Sequence, residues 1–246
     1  MINRRFVLAA VAGILAFTVA GSVQAAIVTQ ALGNSGWSVR YDNNEITVTL
    51  LNVDVTSDSA NVVIEKVAQF SSGPNDFGFI DPAEITFIQN MSEATDNIVI
   101  DREHVFNNTG TTWTGFRFIV EDPMSGVGGG ARFDQAASAS FDVSPFTTKT
   151  FLSSDVQEEL VASGGSGVPN GAEWTPGFGD NGDGGSLVIN GNPFDNGGVR
   201  RTFVLKEQPT PGEFVIPLPA AAWSGLSGLL GLGLMSSYKA LRRRMA

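Results

Sequence analysis

Apolar and polar residues alternate along several short runs of this chain, a pattern typical of strands that bury one face. Between residues 45 and 55, apolar side chains alternate with threonines, but the phase slips by one residue after Leu50. Because a one-residue slip turns the following side chains to the opposite face, we expect a β-bulge near Leu50–Leu51. Other segments with strand character are 62–67, 85–88, 98–100, 138–143, 186–189 and 199–206.

The segment from 112 to 121 has the clearest strand pattern. Phe116 and Phe118 share one face, whereas Trp113 is out of phase with it. Gly115 lies between them, and a glycine inside a strand often marks a bulge, which would return Trp113 to the core. Many short strands bounded by Gly, Asn, Asp and Pro predict an all-β fold, either an antiparallel β-sandwich or a jelly roll.

One helix and several loops interrupt the strand pattern. Residues 154–162 predict a short helix with Ser154 as its cap and Gly164 at its end. Residues 207–216 contain two prolines and predict a linker after a domain that spans 26–206. The glycine-rich segments that predict loops are 126–130, 164–171 and 177–198.

Residues 1–25 have the three parts of a secretory signal peptide. Arg4 and Arg5 supply a basic start, an apolar run extends from 6 to 20, and small residues follow. Val23 and Ala25 fit the small positions of a cleavage site, which predicts cleavage after Ala25. The alternative is a membrane anchor, but the apolar run is short for a membrane span.

Residues 217–246 form a second segment with three ordered parts. A proline-containing motif at 216–223 leads into a run from 220 to 238 that has no charge. As a helix this run would be about 29 Å long, close to the thickness of a hydrocarbon core. The basic end, 239–244, predicts a topology stop that keeps the C-terminus in the cytoplasm and the main domain outside. The arginines of this stop are Arg242, Arg243 and Arg244.

This order of motif, apolar run and arginines resembles the PEP-CTERM sorting signal in its VPLPA variant, with Ile216 where the family usually has valine. The resemblance implies that an exosortase, an integral-membrane cysteine transpeptidase, recognises Pro217, Leu218, Pro219 and Ala220. It also implies removal of the tail and delivery from the inner membrane to the surface or exterior of a Gram-negative cell. The resemblance covers only the tail, and the alternative is a permanent single-pass anchor.

The charge of the domain and the absence of cysteine exclude several classes of partner and of chemistry. All 25 acidic residues lie between Asp42 and Glu213, whereas six of the 15 basic residues belong to the two ends, so the part between the ends carries a net charge of −16. Nucleic acid and anionic lipid surfaces would be repelled by this charge, so we expect neither as a partner. The chain has no cysteine, which excludes thiol nucleophiles and thiolate metal sites.

Few residues of this sequence indicate a catalytic or metal-binding site. His104 is the only histidine, and we interpret it as an ordinary surface or turn residue. The run 179–185 is rich in Asp, Asn and Gly, but glycines at the third and fifth positions from Asp180 break the EF-hand pattern. Asp180, Asp183 and Asp195 are candidate calcium ligands, because calcium accepts flexible oxygen shells. The alternative is a hydrophilic hairpin loop. No other cofactor is expected.

The sequence favours a non-enzymatic protein of the cell surface or biofilm matrix. A calcium-assisted module that binds extracellular polysaccharide is the second hypothesis, and exposure of Trp37, Trp174 or Phe178 would favour it, whereas their burial would favour the first. A secreted glycoside hydrolase is the third hypothesis, and it would need two carboxylates about 5–10 Å apart in a cleft.

Overall fold

Thirteen strands make up the regular structure of the described residues, and no helix occurs among them. The computed structural model describes residues 26–55, 60–123, 129–154, 157–177, 184–194 and 200–212. The strands are β1 (Ile27–Ala31), β2 (Trp37–Asp42), β3 (Ile46–Val55), β4 (Ala60–Phe70), β5 (Ala83–Gln89), β6 (Asn97–Asn107), β7 (Trp113–Glu121), β8 (Arg132–Phe133), β9 (Thr148–Ser153), β10 (Gln157–Val168), β11 (Glu173–Trp174), β12 (Leu187–Asn190) and β13 (Thr202–Pro211).

The strands form two sheets that pack face to face. The seven-stranded sheet has the order β1-β2-β5-β13-β7-β10-β9, and all of its pairs are antiparallel. The six-stranded sheet has the order β3-β4-β6-β12-β8, with β11 also paired to β6. The predicted all-β class and two-sheet architecture are confirmed.

One strand pair departs from the predicted antiparallel arrangement. Strands β4 and β6 are parallel neighbours, with Asn61 opposite Asn97 and Phe70 opposite Asn107. The chain leaves β4 for β5 in the opposite sheet and then returns as β6, so β6 runs in the same direction as β4. The prediction of a purely antiparallel β-sandwich or jelly roll is therefore wrong, because β4 and β6 form a parallel pair.

Aromatic side chains from both sheets meet in the core. Phe70 of the six-stranded sheet packs edge-on against Trp113 and Phe116 of the seven-stranded sheet, with ring centroids 5.3 and 5.9 Å apart. Phe116 and Phe118 are fully buried, as the alternation in β7 predicts. Since edge-to-face pairs add to the free energy of burial, these contacts hold the sheets together without a disulfide.

Both predicted bulges are confirmed. The register between β3 and β4 shifts between Leu50 and Asn52. In β7, the register shifts against both neighbouring strands between Gly115 and Trp113, and the Trp113 side chain is completely buried. The extra residue lets a strand with a slipped apolar pattern keep its apolar side chains inside.

The predicted helix at 154–162 is wrong, because residues 157–162 belong to strand β10. Leu160 and Ala162 are fully buried while the residues between and beside them are only half-buried, which is the period of a strand. Strand β10 pairs with β7 on one side and β9 on the other. Ladder hydrogen bonds on both sides outweigh the local helix signals of this segment.

The predicted strand at 138–143 is also wrong, since this segment forms turns. The ammonium group of Lys149 donates hydrogen bonds to the carbonyl oxygens of Ser138, Ala139 and Phe141, at 3.1, 2.8 and 2.7 Å. Three carbonyl groups that converge on one cation cannot alternate between two sides as they would in a strand. Lys149 therefore holds this segment in a curved conformation.

The predicted boundary between domain and linker lies too early. Strand β13 continues to Pro211, and its residues 207–211 pair with β7. The predicted glycine loop at 164–171 likewise begins inside β10, which extends to Val168. Residues 207–211 and 164–168 therefore belong to strands of the seven-stranded sheet.

Two glycines beyond residue 165 provide a matched pair for a test of backbone strain. Gly167 and Gly171 have φ angles of 72° and 78°, but a Cβ atom on Gly167 would lie 2.1 Å from the carbonyl oxygen of Trp113, whereas one on Gly171 would meet nothing within 4 Å. We expect Gly171→Ala to lower the free energy of unfolding by about 1–2 kcal/mol, the cost of the left-handed conformation. Gly167→Ala should cost at least about 1 kcal/mol more, because backbone must move. Equal losses in a denaturant titration would contradict the predicted clash.

Candidate functional site

Most residues with a predicted role lie outside the described residues. These are the signal peptide 1–25, the calcium candidates Asp180, Asp183 and Asp195, the motif residues Pro217, Leu218, Pro219 and Ala220, and the topology stop Arg242, Arg243 and Arg244. Within the described ranges, no helix is long and apolar enough to cross a membrane.

The two ends of the segment that contains Asp180 and Asp183 are held close together. The main-chain N–H of Asp142 donates to the carbonyl oxygen of Gly184, and the N–H of Gly177 donates to the carbonyl oxygen of Asp142, both at 2.7 Å. Asp142 therefore links Gly177 and Gly184, the described residues on either side of this segment. Among the residues that the structure describes, no group of three or more His, Cys, Asp or Glu side chains is arranged to hold a metal ion.

Two of the three aromatic residues that would favour polysaccharide binding are buried. Trp37 is 1% exposed and donates its indole N–H to the carbonyl oxygen of Thr95 at 2.8 Å. Trp174 is 3% exposed and donates to the carbonyl oxygen of Ser144 at 2.7 Å. Both rings are core residues with satisfied polar atoms, and Phe178 lies outside the described residues.

A shallow depression of about 310 Å³ lies on the seven-stranded sheet beside β2 and β5. Arg40, Asp42, Glu45 and Glu84 line it together with uncharged residues. Partial burial raises the pKa of Glu45, and the negative charges of Asp42, Asp81 and Glu84 raise it further. The depression is an acidic surface that would attract cations rather than anionic polymers.

His104 lies on strand β6 at the outer face of the six-stranded sheet. Its Nδ1 atom is 2.6 Å from Oε1 of Glu173, and its side chain is 27% exposed. The interpretation of His104 as a surface residue agrees with this position.

A charged cluster that the sequence pattern did not reveal lies inside the sandwich, and we call it the inner triad: Lys66, Glu103 and Glu207. The three side chains are 0%, 1% and 1% exposed. Nζ of Lys66 contacts Oε1 of both glutamates. Oε2 of each glutamate is buried and has no hydrogen-bond partner among the described residues. Since a buried charge is costly without full pairing, such an arrangement is unusual in a core.

Each member of the inner triad continues the inward face of its strand. Lys66 follows Val62 and Ile64 at two-residue spacing in β4, and Glu207 follows Phe203 and Leu205 in β13. Glu103 lies after a register shift in β6 and has the parity of Val105 and Asn107. In the sequence, each of these residues is a charged side chain at a position where the alternation of the strand predicts an apolar one, and this was the available signal.

The protonation states of the inner triad follow from burial and from its charges. Burial raises the pKa of Glu103 well above its ordinary value of 4.5, and the charge of Glu207 raises it further, while Lys66 opposes both effects. Burial also raises the pKa of Glu207. For Lys66, burial acts to lower the pKa, but the two carboxylates outweigh it and the pKa is raised. Burial therefore favours the neutral form of both carboxyls, most strongly for Glu103, whereas Lys66 favours their ionised forms.

A second buried ion pair joins the loops at another part of the core. Nη1 of Arg201 lies 2.6 Å from Oδ2 of Asp122, and the two side chains are 0% and 1% exposed. Nε of Arg201 donates to the carbonyl oxygen of Asn192 at 3.0 Å, and the guanidinium lies 4.3 Å from the centre of the Phe194 ring. Oδ2 of Asp122 also accepts from the N–H of Ala131 at 2.8 Å. The pair fixes two connections, 129–131 and 190–194, to the sheets.

Two phenylalanines point into solvent from the connection between β4 and β5. Phe77 and Phe79 are 81% and 61% exposed. The side-chain oxygen of Asn75 accepts hydrogen bonds from the N–H groups of both phenylalanines, at 3.0 and 3.1 Å, and this defines the turn. We call residues 75–79 the phenylalanine turn.

The phenylalanine turn belongs to a connection that adjoins the last described residues of the chain. Gly73 packs against Thr109, and Gly212 packs against Thr112, so both contact the turn between β6 and β7. The last described residue, Gly212, therefore lies at the end of the sandwich from which the phenylalanine turn extends.

Comparison with known proteins identifies no relative, because no protein-family model matches the chain and neither a curated protein nor a solved structure matches it.

Proposed function

We propose that this chain is an exported, non-enzymatic component of the cell surface or extracellular matrix, which an exosortase sorts through the C-terminal tail. The observation that carries the proposal is the order of features in the tail. The Pro-Leu-Pro-Ala motif at 217–220 precedes an uncharged run to Tyr238, and three arginines follow. A span with basic residues on one flank enters the inner membrane with that flank in the cytoplasm.

The position of the last strand suits a domain that is presented beside the membrane. Strand β13 ends at Pro211, in the middle of the seven-stranded sheet. Only residues 213–216 separate the described domain from the motif, and they span at most about 14 Å when extended. The exosortase would therefore act next to a folded domain, with the phenylalanine turn at the same end.

The buried tryptophans favour this function over the polysaccharide-binding alternative. That alternative depended on an exposed row of aromatic rings, and Trp37 and Trp174 instead fill the core. Inside the core, neither ring can stack on a sugar from solvent. A role that depends on the surface and stability of the whole domain fits the burial of both rings better.

The intact mass of the protein from its native host tests the proposal. We expect the surface or medium fraction to contain a chain that begins at Ala26 and ends between Pro217 and Ala222, or that carries a covalent adduct there. A chain that runs from Ala26 to Ala246 in every fraction would mean a permanent anchor and would exclude sorting by an exosortase.

Variants of the topology stop test the role of its charge. Replacement of Arg242, Arg243 and Arg244 with glutamate should slow or abolish tail removal, because the flank would no longer be held in the cytoplasm. The matched control replaces the same residues with lysine, which keeps the charge and should be processed normally. Immunoblots of the precursor and the product measure the rate of processing. A glutamate variant that is processed at the normal rate would disprove this role.

A further inference from the structure

We propose that Lys66 and Glu103 condense to an intramolecular amide in the folded protein, with Glu207 as the group that accepts one proton from Lys66 and relays a second to the leaving hydroxyl. This inference is independent of the sorting tail, because it uses only the described interior of the sandwich.

The fold holds the two reacting groups in contact. Lys66 and Glu103 are directly opposite each other in the parallel pair of β4 and β6, and Nζ of Lys66 donates a hydrogen bond to Oε1 of Glu103. Both side chains are buried, at 0% and 1% exposure, so they cannot turn away into solvent. Groups that are held in this way react with effective concentrations of about 10⁵ M or more when their orientation is right.

Glu207 supplies the acid–base chemistry from the opposite sheet. Its Oε1 atom contacts Nζ of Lys66, so the proton that the ammonium group must lose has an acceptor in direct contact. Burial raises the pKa of Glu103 well above its ordinary value and the charge of Glu207 raises it further, so both effects favour the neutral carboxylic acid. A neutral carboxylic acid is the form that an amine can attack.

The reaction balances without any other reactant. Lys66 gives one proton to the Glu207 carboxylate, and the free amine attacks Cδ of Glu103. The new C–N bond forms as the C–OH bond of Glu103 breaks, and the hydroxyl leaves as water with a second proton from the nitrogen, passed on by Glu207. The products are a neutral amide, a neutral Glu207 carboxyl and one water molecule.

Burial provides the driving force for this condensation. In the state that reacts, with Glu207 ionised and Glu103 neutral, the inner triad contains one cation and one anion, and Oε2 of Glu103 has no hydrogen-bond partner among the described residues. That oxygen is the one that would leave as water. After the reaction no charge remains in the inner triad, so the cost of desolvating its ions is removed.

The amide would close a covalent loop through the crossover of the sandwich. Residues 67–102 leave the six-stranded sheet, form β5 in the other sheet and return to β6. A bond between Lys66 and Glu103 fixes both ends of this excursion. In a chain without cysteine, it gives the exported domain the kind of cross-link that a disulfide would otherwise supply.

A tryptic peptide map of the denatured full-length protein tests the proposal. Trypsin cannot cleave after an acylated lysine, so we expect 41–102 joined to 103–117, with a mass lower by one water than the sum of the two peptides. Lys206 is an internal control, because it contacts Glu84 and Glu121 at the surface, and cleavage after it should be complete. Recovery of free 41–66 as the main product would overturn the proposal, and a link from Lys66 to Glu207 would overturn the choice of Glu103.

Substitution of Glu207 tests the proton transfer. Glu207→Gln has the same shape but cannot accept the proton, so free peptides 41–66 and 67–102 should replace the linked species. Near-ultraviolet circular dichroism of the buried tryptophans would show that this variant folds. A folded variant that is linked to the same extent as the wild type would overturn the role of Glu207. If Glu207→Gln does not fold, the tryptic peptide map of the wild-type protein still shows whether the amide exists.

Discussion

Relative to the chain in which the amide has not formed, replacement of Lys66 with methionine is expected to lower the free energy of unfolding by about 3–5 kcal/mol, the cost of breaking a buried ion pair from one side. Glu103 and Glu207 would then lie together in the core with no cation in contact with them. Methionine keeps most of the volume of the lysine stem, so the loss would report charge rather than a cavity. A urea titration followed by tryptophan fluorescence measures it.

Lys206→Met is the matched control for this experiment. Lys206 also lies between two glutamates, at 3.4 Å from Glu84 and 2.8 Å from Glu121, but on the outer face of the sandwich. Because water screens this group, the loss should stay below about 1 kcal/mol. Similar small losses for both variants would show that the inner triad contributes no more than a surface pair.

The stability of Lys66→Met should also depend on pH in the direction opposite to ordinary acid denaturation. Burial raises the pKa of both glutamates above 4.5, and Lys66 is the group that opposes this rise. In the variant the folded state therefore binds more protons than the unfolded state, and its stability increases as pH falls through the raised pKa values towards 4.5. The difference from Lys206→Met should narrow over that range. A constant difference would contradict the presence of two titrating carboxyls.

The fold class and its irregularities could be predicted because they depend on local pattern. Alternation placed Phe116 and Phe118 in the core, and phase slips located the bulges at Leu50 and Trp113. Residues 157–162 were assigned wrongly since capping signals are also local, whereas the strand there is stabilised by its two neighbours.

The inner triad could not be assembled from the sequence. The parity of Lys66, Glu103 and Glu207 marks each as inward-facing, but it does not say which strands are neighbours. Lys66 meets Glu103 only because β5 crosses to the other sheet and makes β4 and β6 parallel, and Glu207 comes from the last strand of the described domain. The contacts depend on topology, which a pattern of apolar residues does not define.

Replacement of Arg201 with methionine is the second large expected effect, again about 3–5 kcal/mol of lost unfolding free energy. The variant leaves the buried carboxylate of Asp122 without its cation, and it removes the hydrogen bond to the carbonyl oxygen of Asn192. The contact of the guanidinium with the Phe194 ring is lost too. Differential scanning calorimetry and urea titration would both measure the change.

Two further variants separate the buried pair from ordinary surface charge. Arg117→Met removes a contact with Glu159 in which the arginine side chain is 37% exposed, and it should cost less than about 1 kcal/mol. The double variant Arg201→Met/Asp122→Leu should recover part of the loss, since a buried pair can be replaced by apolar residues. Recovery should be incomplete because Asp122 also accepts from the N–H of Ala131. A double variant as unstable as the sum of the single variants would show that the two residues act separately.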